Sequence, residues 1–228
     1  MSARRLRLLI TTGPTREPLD PVRFLSNYST GVLGQALVAE ARRRGHEVVV
    51  IAGPMDLAPT RGVRTIPVET ALQMQAALER EFPKVDGVIM AAAVADFRPV
   101  RAATQKIKRS GVAGGLKLWR LDLVENPDLV AGLAVRRTRQ VIVGFALETT
   151  NALRNARTKL RTKQLDAIVL TQMAPRRAPF GSTTVDGAIL DAGGRTAPFR
   201  RLAKPALARR ILTTVERLAA RRHKHGTE

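Results

Sequence analysis

The residues best suited to chemistry near the start of the chain lie in one polar stretch, GPTREPLDPVRFLSNYSTGVLG, residues 13–34. A parallel α/β protein usually passes from a strand to the next helix in about two to six residues, so this connection is unusually long. It begins at Gly13 and leads to Gly31, where a predicted helix starts. The free backbone N–H groups at a helix start, and the positive end of the helix dipole, suit a phosphate group. We therefore expect Thr30 and Gly31 to border an anion site.

Two groups of lysines would add positive charge to such a site. Lys106 and Lys108 lie in the segment QKIKRS, whereas Lys159 and Lys163 are four residues apart on a predicted helix and share one face of it. Lysines with this spacing are usually solvated surface residues. The residue types alone therefore leave a phosphate-binding role and a plain surface role both open.

The elements that must position these residues alternate between strands and helices. An apolar run over Leu6–Thr11 predicts the first strand, helical spacing of apolar residues over Gly31–Arg44 predicts a helix, and EVVVIAGP predicts a strand buried on both faces. Together they form a βαβ unit, and the alternation continues to the strand LDAIVLTQ. A hairpin with its turn at 191–194 follows, and then an amphipathic helix from about Pro205 to Arg222.

This order predicts an α/β fold: a doubly wound, mainly parallel Rossmann-like sheet with an irregular basic insertion near 98–117 and a late β-hairpin. We expect a single domain over 1–222 and a disordered basic C-terminal tail over 223–228. Ligands of such sheets bind beyond the carboxyl ends of the strands. The functional site is therefore expected among the segments at those ends, which are 12–31, 91–98, 144–150 and 170–174.

The composition excludes several kinds of site. The 228-residue chain has no cysteine, so disulfides, thiolate metal ligands and a cysteine nucleophile are absent. Its three histidines, His46, His223 and His225, are expected to be solvated surface residues, and no protein metal site is predicted. No apolar run is long enough to cross a bilayer, and the first one lacks the cleavage pattern of a secretory signal. We therefore expect a cytoplasmic protein without a membrane partner.

A formal net charge of +20 at pH 7 has two functional explanations besides a plain basic surface. One is nucleic-acid binding, and the other is attraction of small, highly anionic substrates into a positive cleft. Aromatic residues make up only 4% of the chain and no DNA-reading motif is present, so we do not expect a nucleic-acid partner. A basic nucleic-acid-binding α/β protein stays open as an alternative.

An NAD(P)-binding oxidoreductase is the other alternative, because the predicted sheet is Rossmann-like. The compact G-x-G-x-x-G motif is absent, however, and the second strand ends in IAGP with no carboxylate before Asp56 to hold a ribose. Tyr28, the only tyrosine, is not part of a Tyr-x-x-x-Lys pair. The residues therefore favour a different phosphorylated ligand.

Seven segments, taken in order, resemble one enzyme family. They are TTGPTREPLDPVRFLSNYSTG, AAAVADFRP, KIKR, ENPDLVAGLA, VGFALET, NARTKLRTKQLDAIVLT and PFGS. The family is phosphopantothenoylcysteine synthetase, or phosphopantothenate–cysteine ligase, the synthetase half of the bacterial bifunctional coenzyme A biosynthesis flavoproteins. The resemblance runs from about residue 6 to about residue 215 and includes no decarboxylase half. It implies a stand-alone synthetase, with a separate phosphopantothenoylcysteine decarboxylase acting downstream.

The resemblance implies a ligase that joins 4′-phosphopantothenate and L-cysteine into 4′-phosphopantothenoylcysteine. The carboxylate would attack the α-phosphate of CTP to form an acyl-cytidylate, and the cysteine amine would then displace CMP. CTP is implied as the co-substrate rather than ATP, because the KIKR cluster resembles that of the CTP-using bacterial branch. Mg²⁺ would offset the charge on the leaving pyrophosphate. Relatives dimerise, so a homodimer is implied as well.

The resemblance also implies roles for individual residues. Asn27 matches the family's key asparagine, whose amide N–H would stabilise developing oxygen charge, and Arg23 matches an arginine that holds the site or a substrate anion. Lys106 matches the lysine that meets the triphosphate, so Asn27, Lys106 and Arg23 are the expected catalytic residues. Asn27 and Ala93 are expected to bind substrate. With the two glycines, the expected nucleotide-binding residues are Gly13, Gly31, Asp96, Lys106, Asn126, Pro127, Asp128, Leu129, Phe145, Lys159 and Lys163.

Overall fold

The computed structural model describes residues 4–108, 119–172 and 183–225. Its strands are β1 (Arg7–Thr12), β2 (Arg16–Pro18), β3 (Phe24–Ser26), β4 (Glu47–Ala52), β5 (Arg64–Pro67), β6 (Gly87–Met90), β7 (Phe97–Pro99), β8 (Leu123–Glu125), β9 (Val141–Glu148), β10 (Ala167–Gln172), β11 (Thr184–Asp191) and β12 (Thr196–Ala203). Its α-helices are α1 (Val32–Arg43), α2 (Ala71–Glu81), α3 (Leu129–Val135), α4 (Ala152–Thr162) and α5 (Lys204–His225).

The main sheet has the strand order β12–β11–β10–β9–β6–β1–β4–β5. From β10 to β5 neighbouring strands run parallel, whereas β11 and β12 are antiparallel and form the late hairpin. The predicted mainly parallel sheet is therefore confirmed. The chain continues from β1 to β4 on one side and later returns to β6 on the other. Such a reversal opens a crevice beyond the carboxyl ends of the two diverging strands, here β1 and β6.

Helices cover both faces of the sheet, as a doubly wound fold requires. Helices α1 and α5 pack on one face, where Leu37 and Leu212 are fully buried, and α2, α3 and α4 pack on the other, where Met74 is fully buried. In β1, Leu8 faces the first core and Leu9 the second. Because successive strand residues point to opposite faces, a strand covered on both sides must be apolar throughout.

Helix α1 lies closer to β1 than an ordinary side chain would permit. A Cβ atom at Gly34 would stand 2.0 Å from Oγ1 of Thr12, so only glycine fits there without a shift of the helix. Gly31, the residue before α1, has a φ of 75°, a backbone conformation that favours glycine. The two glycines allow α1 to begin directly behind the end of β1, which brings the helix N-terminus to the crevice.

Both long polar connections contain short antiparallel ribbons. Strand β2 pairs with β3 inside the connection that follows β1, and β7 pairs with β8 across the insertion that was expected to be irregular. Residues 109–118 of that insertion and the PFGS segment, residues 179–182, lie outside the described residues. The β2–β3 ribbon shows that the connection after β1 contains regular secondary structure.

His46 is buried, which corrects the expectation of a solvated surface histidine. Its Nδ1 accepts a hydrogen bond from the Leu6 N–H at 3.2 Å, and its Nε2 lies 3.0 Å from Oε1 of Glu216. Because Nδ1 accepts, Nε2 carries the proton and donates it to the carboxylate. His46 therefore ties the start of β1 to α5.

The last helix is longer than the sequence pattern suggested. Helix α5 ends at His225 and not at Arg222, while residues 226–228 lie outside the described part of the chain, where the disordered tail stays a prediction. Across the residues that the structure describes, no helix combines the length and the apolar character needed to cross a membrane.

Candidate functional site

A cleft of about 800 Å³ opens at the crevice beyond the carboxyl ends of β1 and β6. Its walls come from distant parts of the sequence: 27, 29–34, 90–97, 125–130, 145–147, 163, 171, 185 and 204. Pro14 and Ala93 form a parallel bridge that joins the segments following the two strands. The cleft lies at the sheet edge where the site was expected.

A second groove, of about 1080 Å³, lies beside α4 and the turn of the late hairpin. Arginines dominate its lining, including Arg137, Arg154, Arg157, Arg161 and Arg222. None of the residues expected to bind substrate or nucleotide lines this groove, so the cleft is the candidate active site.

The segment after β6 is fixed by buried threonine hydroxyls from the β1 side. The N–H of Ala92 donates to Oγ1 of Thr11 at 3.0 Å, and the N–H of Ala95 donates to Oγ1 of Thr15 at 3.0 Å. Both threonines are completely buried. These bonds satisfy backbone groups that lie outside the sheet, and they hold the cleft floor in one conformation.

Asn27 joins the two segments at the cleft. Its Nδ2 donates to the carbonyl oxygens of Ala93 at 3.2 Å and Val94 at 3.0 Å, while the Ala93 N–H donates to the Gly13 carbonyl at 2.9 Å. Both amide hydrogens that were expected to serve the substrate are thus engaged by the protein here. Oδ1 accepts no hydrogen bond from another described residue, so the acceptor is the part of Asn27 left for a ligand.

Gly13 and Gly31 differ in their relation to the cleft. Gly31 lines it, and its carbonyl accepts a hydrogen bond from Oγ1 of Thr12 at 3.1 Å. Gly13 does not line it; with a φ of 75°, it lets the chain pass close to Gly53, whose carbonyl oxygen a Cβ at Gly13 would approach to 2.9 Å. The phosphate-facing role therefore fits Gly31, and Gly13 has a backbone role.

Arg23 organises the connection after β1 instead of lining the cleft. Its guanidinium pairs with the buried Asp20 carboxylate and donates to the carbonyl of Ile107 at 2.8 Å. The Ile107 N–H in turn donates to Oδ2 of Asp20 at 3.1 Å. The hydrogen bond from Arg23, together with backbone N–H donors, holds the pKa of Asp20 well below its usual range. Lys106, next in sequence to Ile107, is exposed and likewise stands outside the cleft lining.

Asn126 and Asp128 shape the opposite end of the cleft. Nδ2 of Asn126 donates to the Ala95 carbonyl at 2.8 Å, and its backbone N–H donates to the Asp96 carbonyl at 2.8 Å. Asp128, not Asn126, is the N-cap of α3, because its side chain accepts from the Ala131 N–H at 3.1 Å. Asn126 instead uses its amide to fix the cleft wall.

Lys159 and Lys163 are both paired with carboxylates. Nζ of Lys163 lies 2.9 Å from Asp128, and Nζ of Lys159 lies 2.7 Å from Glu148. Burial alone would raise the pKa of each carboxyl group, but the lysine and other hydrogen-bond donors outweigh it, so both pKa values lie below their ordinary ones. Lys163 lines the cleft and Lys159 stands behind it.

The remaining expected residues meet at the cleft. Asp96, Pro127, Leu129, Phe145 and the substrate-site residue Ala93 all line it. Phe145 is half-buried on β9. Its side chain packs on the core and also lines the cleft, so it can stabilise the fold and contact a ligand.

One lining residue escaped the sequence analysis. Lys204, the first residue of α5, is buried, and burial lowers the pKa of its amine. Among 39 lysines and arginines, a single lysine before a proline carries no distinguishing signal. Only the folded chain, which returns the start of α5 to the carboxyl edge of the sheet, places it in the cleft.

The carboxylates at the cleft do not form a protein metal cage. No group of three or more His, Asp or Glu suited to a metal ion occurs in the described ranges. Mg²⁺ usually binds through one or two carboxylates plus the phosphates of a substrate. Asp96 lines the cleft and forms no ion pair with another described residue, so its donor chemistry fits an ion that arrives with a nucleotide.

Comparisons of sequence identify the relatives of this chain. A cysteine/cysteine sulfinic acid decarboxylase from an unknown prokaryotic organism is 40% identical over 215 residues, which cover 92% of this chain and 58% of that protein. The coenzyme A biosynthesis bifunctional protein CoaBC of Escherichia coli K12 is 41% identical over 180 residues, covering 78% of this chain and 44% of that protein. The chain thus spans about half the length of the curated relatives it matches.

Comparison of structures agrees with the sequence. The crystal structure of the C-terminal domain of CoaBC matches with a TM-score of 0.79 at 33% identity, covering 96% of this chain and 98% of that one. The sequence profile of the DNA/pantothenate metabolism flavoprotein C-terminal domain matches residues 3–218. This chain belongs to the family of DNA/pantothenate metabolism flavoprotein C-terminal domains.

Proposed function

We propose that the chain is a phosphopantothenate–cysteine ligase of coenzyme A biosynthesis, which joins 4′-phosphopantothenate and L-cysteine while CTP becomes CMP and pyrophosphate. The observation that carries the proposal is the cleft, where Asn27, Asp96, Phe145 and Lys163 meet the segment 126–129. These residues come from separate parts of the sequence, and the family resemblance assigns each of them to the nucleotide or substrate site. The relatives named as coenzyme A biosynthesis proteins contain the same domain.

The charge of the molecule suits two polyanionic substrates. The net charge is +20, and the cleft combines Lys163 with the N-terminus of α1. A protein with a strongly positive net charge raises the local concentration of anions, and a helix N-terminus offers them unpaired N–H groups. A nicotinamide cofactor gains no comparable support, because no carboxylate ends β4.

In the first half-reaction, a carboxylate oxygen of phosphopantothenate would attack the α-phosphorus of CTP. The bond from that phosphorus to the bridging oxygen breaks, and pyrophosphate leaves. Lys163 in the cleft and the exposed Lys106 would offset the charge on the phosphates. Mg²⁺, held by Asp96 and the nucleotide phosphates, would supply further charge neutralisation.

In the second half-reaction, the amine of L-cysteine would attack the acyl carbon and lose one proton to solvent, and CMP would leave with the bonding electron pair. Asn27 is rigidly held by Ala93 and Val94, so its Oδ1 has a fixed position. An amide oxygen accepts N–H hydrogen bonds. We assign to Oδ1 the orientation of the attacking amine, in place of the N–H donation that the resemblance suggested.

A homodimer is part of the proposal. The connection after β1 carries exposed apolar side chains, with Val22 at 59% and Phe24 at 45% exposure. We infer that a second copy of the chain covers these side chains, since large exposed apolar patches mark contact surfaces. Light scattering on the purified chain tests the expected mass of two protomers.

The decisive experiment incubates the chain with 4′-phosphopantothenate, L-cysteine, Mg²⁺ and either CTP or ATP, and follows pyrophosphate release. CTP-dependent release that requires both other substrates is the expected result. A parallel measurement of carbon dioxide from cysteine sulfinate covers the activity named for one relative. Absence of pyrophosphate release with both nucleotides would overturn the proposal.

A further inference from the structure

The cleft contains a second lysine whose situation differs from that of Lys163. Lys204 is 7% exposed and lines the cleft together with Phe145, Thr171 and Val185. Neither the motifs nor the family resemblance assigned it a role. Its position at the shared end of β11, β12 and α5 makes it part of the cleft wall.

Nζ of Lys204 forms no ion pair with another described residue, although the carboxylate of Asp96 lines the same cleft. Whereas Nζ of Lys163 has Asp128 at 2.9 Å, no hydrogen bond or ion pair joins Nζ of Lys204 to another residue in the described ranges. Burial lowers the pKa of the Lys204 amine. A buried ammonium without a partner is unfavourable, so its retention in the cleft calls for a ligand that supplies the negative charge.

The backbone around Lys204 is held rigidly. Its N–H donates to the Thr183 carbonyl at 3.2 Å, and the following turns of α5 place Leu207, Ala208 and Leu212 in the core with no exposure. The backbone of Lys204 is therefore held at the cleft by α5, and the side chain that extends from it is 7% exposed.

Two helix N-termini contribute positive potential to the cleft that Lys204 lines. Helix α5 begins at Lys204 itself, and helix α1 begins just after Thr30 and Gly31, which line the same cleft. Each N-terminus carries about half a positive charge. An ammonium in a cleft that two such ends also border is most stable with an anion that bears more than one charge and several acceptor oxygens, which describes a phosphoryl group.

We propose that Lys204 is a phosphate-binding residue of the cleft, held by α5 to contact a phosphoryl group of a bound substrate. The inference deepens the proposed ligase function, since the nucleotide and phosphopantothenate both carry such groups. The polyphosphate of the nucleotide is the favoured source, because Lys204 shares the cleft with the N-terminus of α1.

The test uses variants that separate charge from folding. Lys204→Met keeps the length and apolar stem of the side chain but removes the charge, Lys204→Gln is a second neutral variant, and Lys204→Arg retains the charge. Lys84→Met is the matched control. Lys84 does not line the cleft, and its Nζ lies 3.4 Å from Oε1 of Glu81. Affinities for CTP, tripolyphosphate and 4′-phosphopantothenate are measured by calorimetry, with melting temperatures recorded without ligand.

We expect Lys204→Met and Lys204→Gln to weaken binding of CTP and tripolyphosphate by about ten- to a hundredfold, the usual range for a charge-assisted hydrogen bond. The melting temperature without ligand should not fall, because methionine removes a desolvated amine. Lys204→Arg should bind more tightly than either neutral variant, and Lys84→Met should bind like the wild type. Selective loss of phosphopantothenate affinity would support the phosphate role and assign it to that substrate.

The two proposals fail in different ways. Unchanged affinity of Lys204→Met and Lys204→Gln for all three probes would overturn the role of Lys204, even if the wild type is an active ligase. Tripolyphosphate binding that depends on Lys204, in a protein that releases no pyrophosphate, would uphold the phosphate site and overturn the ligase assignment alone.

Discussion

The two walls of the cleft are held by different forces. The wall formed by residues 27–31 and 91–96, here called the neutral wall, is joined by hydrogen bonds between uncharged groups, such as Asn27 Nδ2 to the Val94 carbonyl at 3.0 Å. The wall formed by α3, the end of β9 and α4, here called the ionic wall, is joined by ion pairs, such as Lys163 with Asp128 at 2.9 Å. Each kind of contact suits a different task.

Hydrogen bonds to backbone groups are directional, so the neutral wall fixes geometry. Thr11 and Thr15 are fully buried and satisfy the N–H groups of Ala92 and Ala95, which leaves the segment little freedom. Ion pairs near the surface contribute little to stability and can exchange partners. The ionic wall can therefore release lysines to an incoming phosphate, while the neutral wall orients the reacting atoms.

The largest effect is expected from a charge placed in the neutral wall. In Asn27→Asp, a carboxylate replaces the amide that donates to the carbonyls of Ala93 and Val94, so three oxygens would face one another without a proton. We expect ligase activity, followed as pyrophosphate release, to fall by about a hundred- to a thousandfold, as for loss of a preorganised polar group in other enzymes.

The control for this variant is Asn151→Asp, which makes the same change of charge at an exposed residue before α4. It should keep nearly full activity. Equal losses in both variants would show that net charge, and not the geometry of the neutral wall, limits the reaction.

A smaller effect, on stability, is expected from closing the gap between α1 and β1. In Gly34→Ala the new Cβ would stand 2.0 Å from Oγ1 and 2.4 Å from Cβ of Thr12, so the helix must shift. Overpacking of this kind costs about 1–3 kcal/mol in free energy of unfolding. Gly132→Ala in α3 is the matched control, because nothing lies within 4 Å of its Cβ. Denaturant unfolding should show destabilisation for Gly34→Ala alone.

The position of the cleft was predictable, whereas its internal contacts were not. Strand β1 could be identified from its apolar run, and the carboxyl-end rule for parallel sheets then located the cleft. The ribbon of β2 and β3 has only three residues in each strand, too few to show a periodic pattern. The sequence could not show that the Asn27 amide donates both of its hydrogens to the carbonyls of Ala93 and Val94, because these partners lie far away along the chain.

Burial of charged and titratable residues was the least predictable feature. His46 follows a glycine at the end of a helix, which is typical of an exposed turn, yet it is buried against Glu216 from the far end of the chain. Lys204 is hidden by the same kind of long-range packing. Local pattern describes which side chains are polar, but only tertiary contacts decide which polar side chains leave water.

Ion pairs outside the cleft provide a reference for the ionic wall. Glu81 is buried and hydrogen-bonded by Arg64, Arg80 and Lys84, which lower its pKa from 4.5 to about 2. Because the folded-state pKa is the lower one, this stabilisation is present above about pH 4.5 and is lost as the pH falls toward 2. Wild type should exceed Glu81→Gln in melting temperature by a few degrees at pH 6, and the difference should vanish near pH 2. A difference that is constant with pH would contradict the assignment.

The smallest effect is expected from neutralising a carboxylate of the ionic wall. Glu148→Gln keeps an acceptor for Asn155, which donates to Glu148 at 2.9 Å, but removes the charge that holds Lys159 at 2.7 Å. Lys159 is 43% exposed, so the pair is worth less than about 1 kcal/mol and stability should barely change. If Lys159 exchanges its carboxylate for a nucleotide phosphate, CTP should bind about two- to fivefold more tightly, since 1.4 kcal/mol corresponds to a factor of ten.

The control for this variant is Glu79→Gln, which removes an equal charge from a pair with Arg136, 3.1 Å away and outside the cleft lining. If the long-range field alone drew the nucleotide in, both variants would tighten CTP binding equally. Local exchange of partners instead predicts a gain for Glu148→Gln only, and it predicts that adding Lys159→Gln abolishes the gain. Calorimetric titration with CTP at two salt concentrations compares the wild type, Glu148→Gln, Glu79→Gln and the double variant Glu148→Gln/Lys159→Gln. It therefore shows whether Lys159 binds the nucleotide or only stabilises the fold.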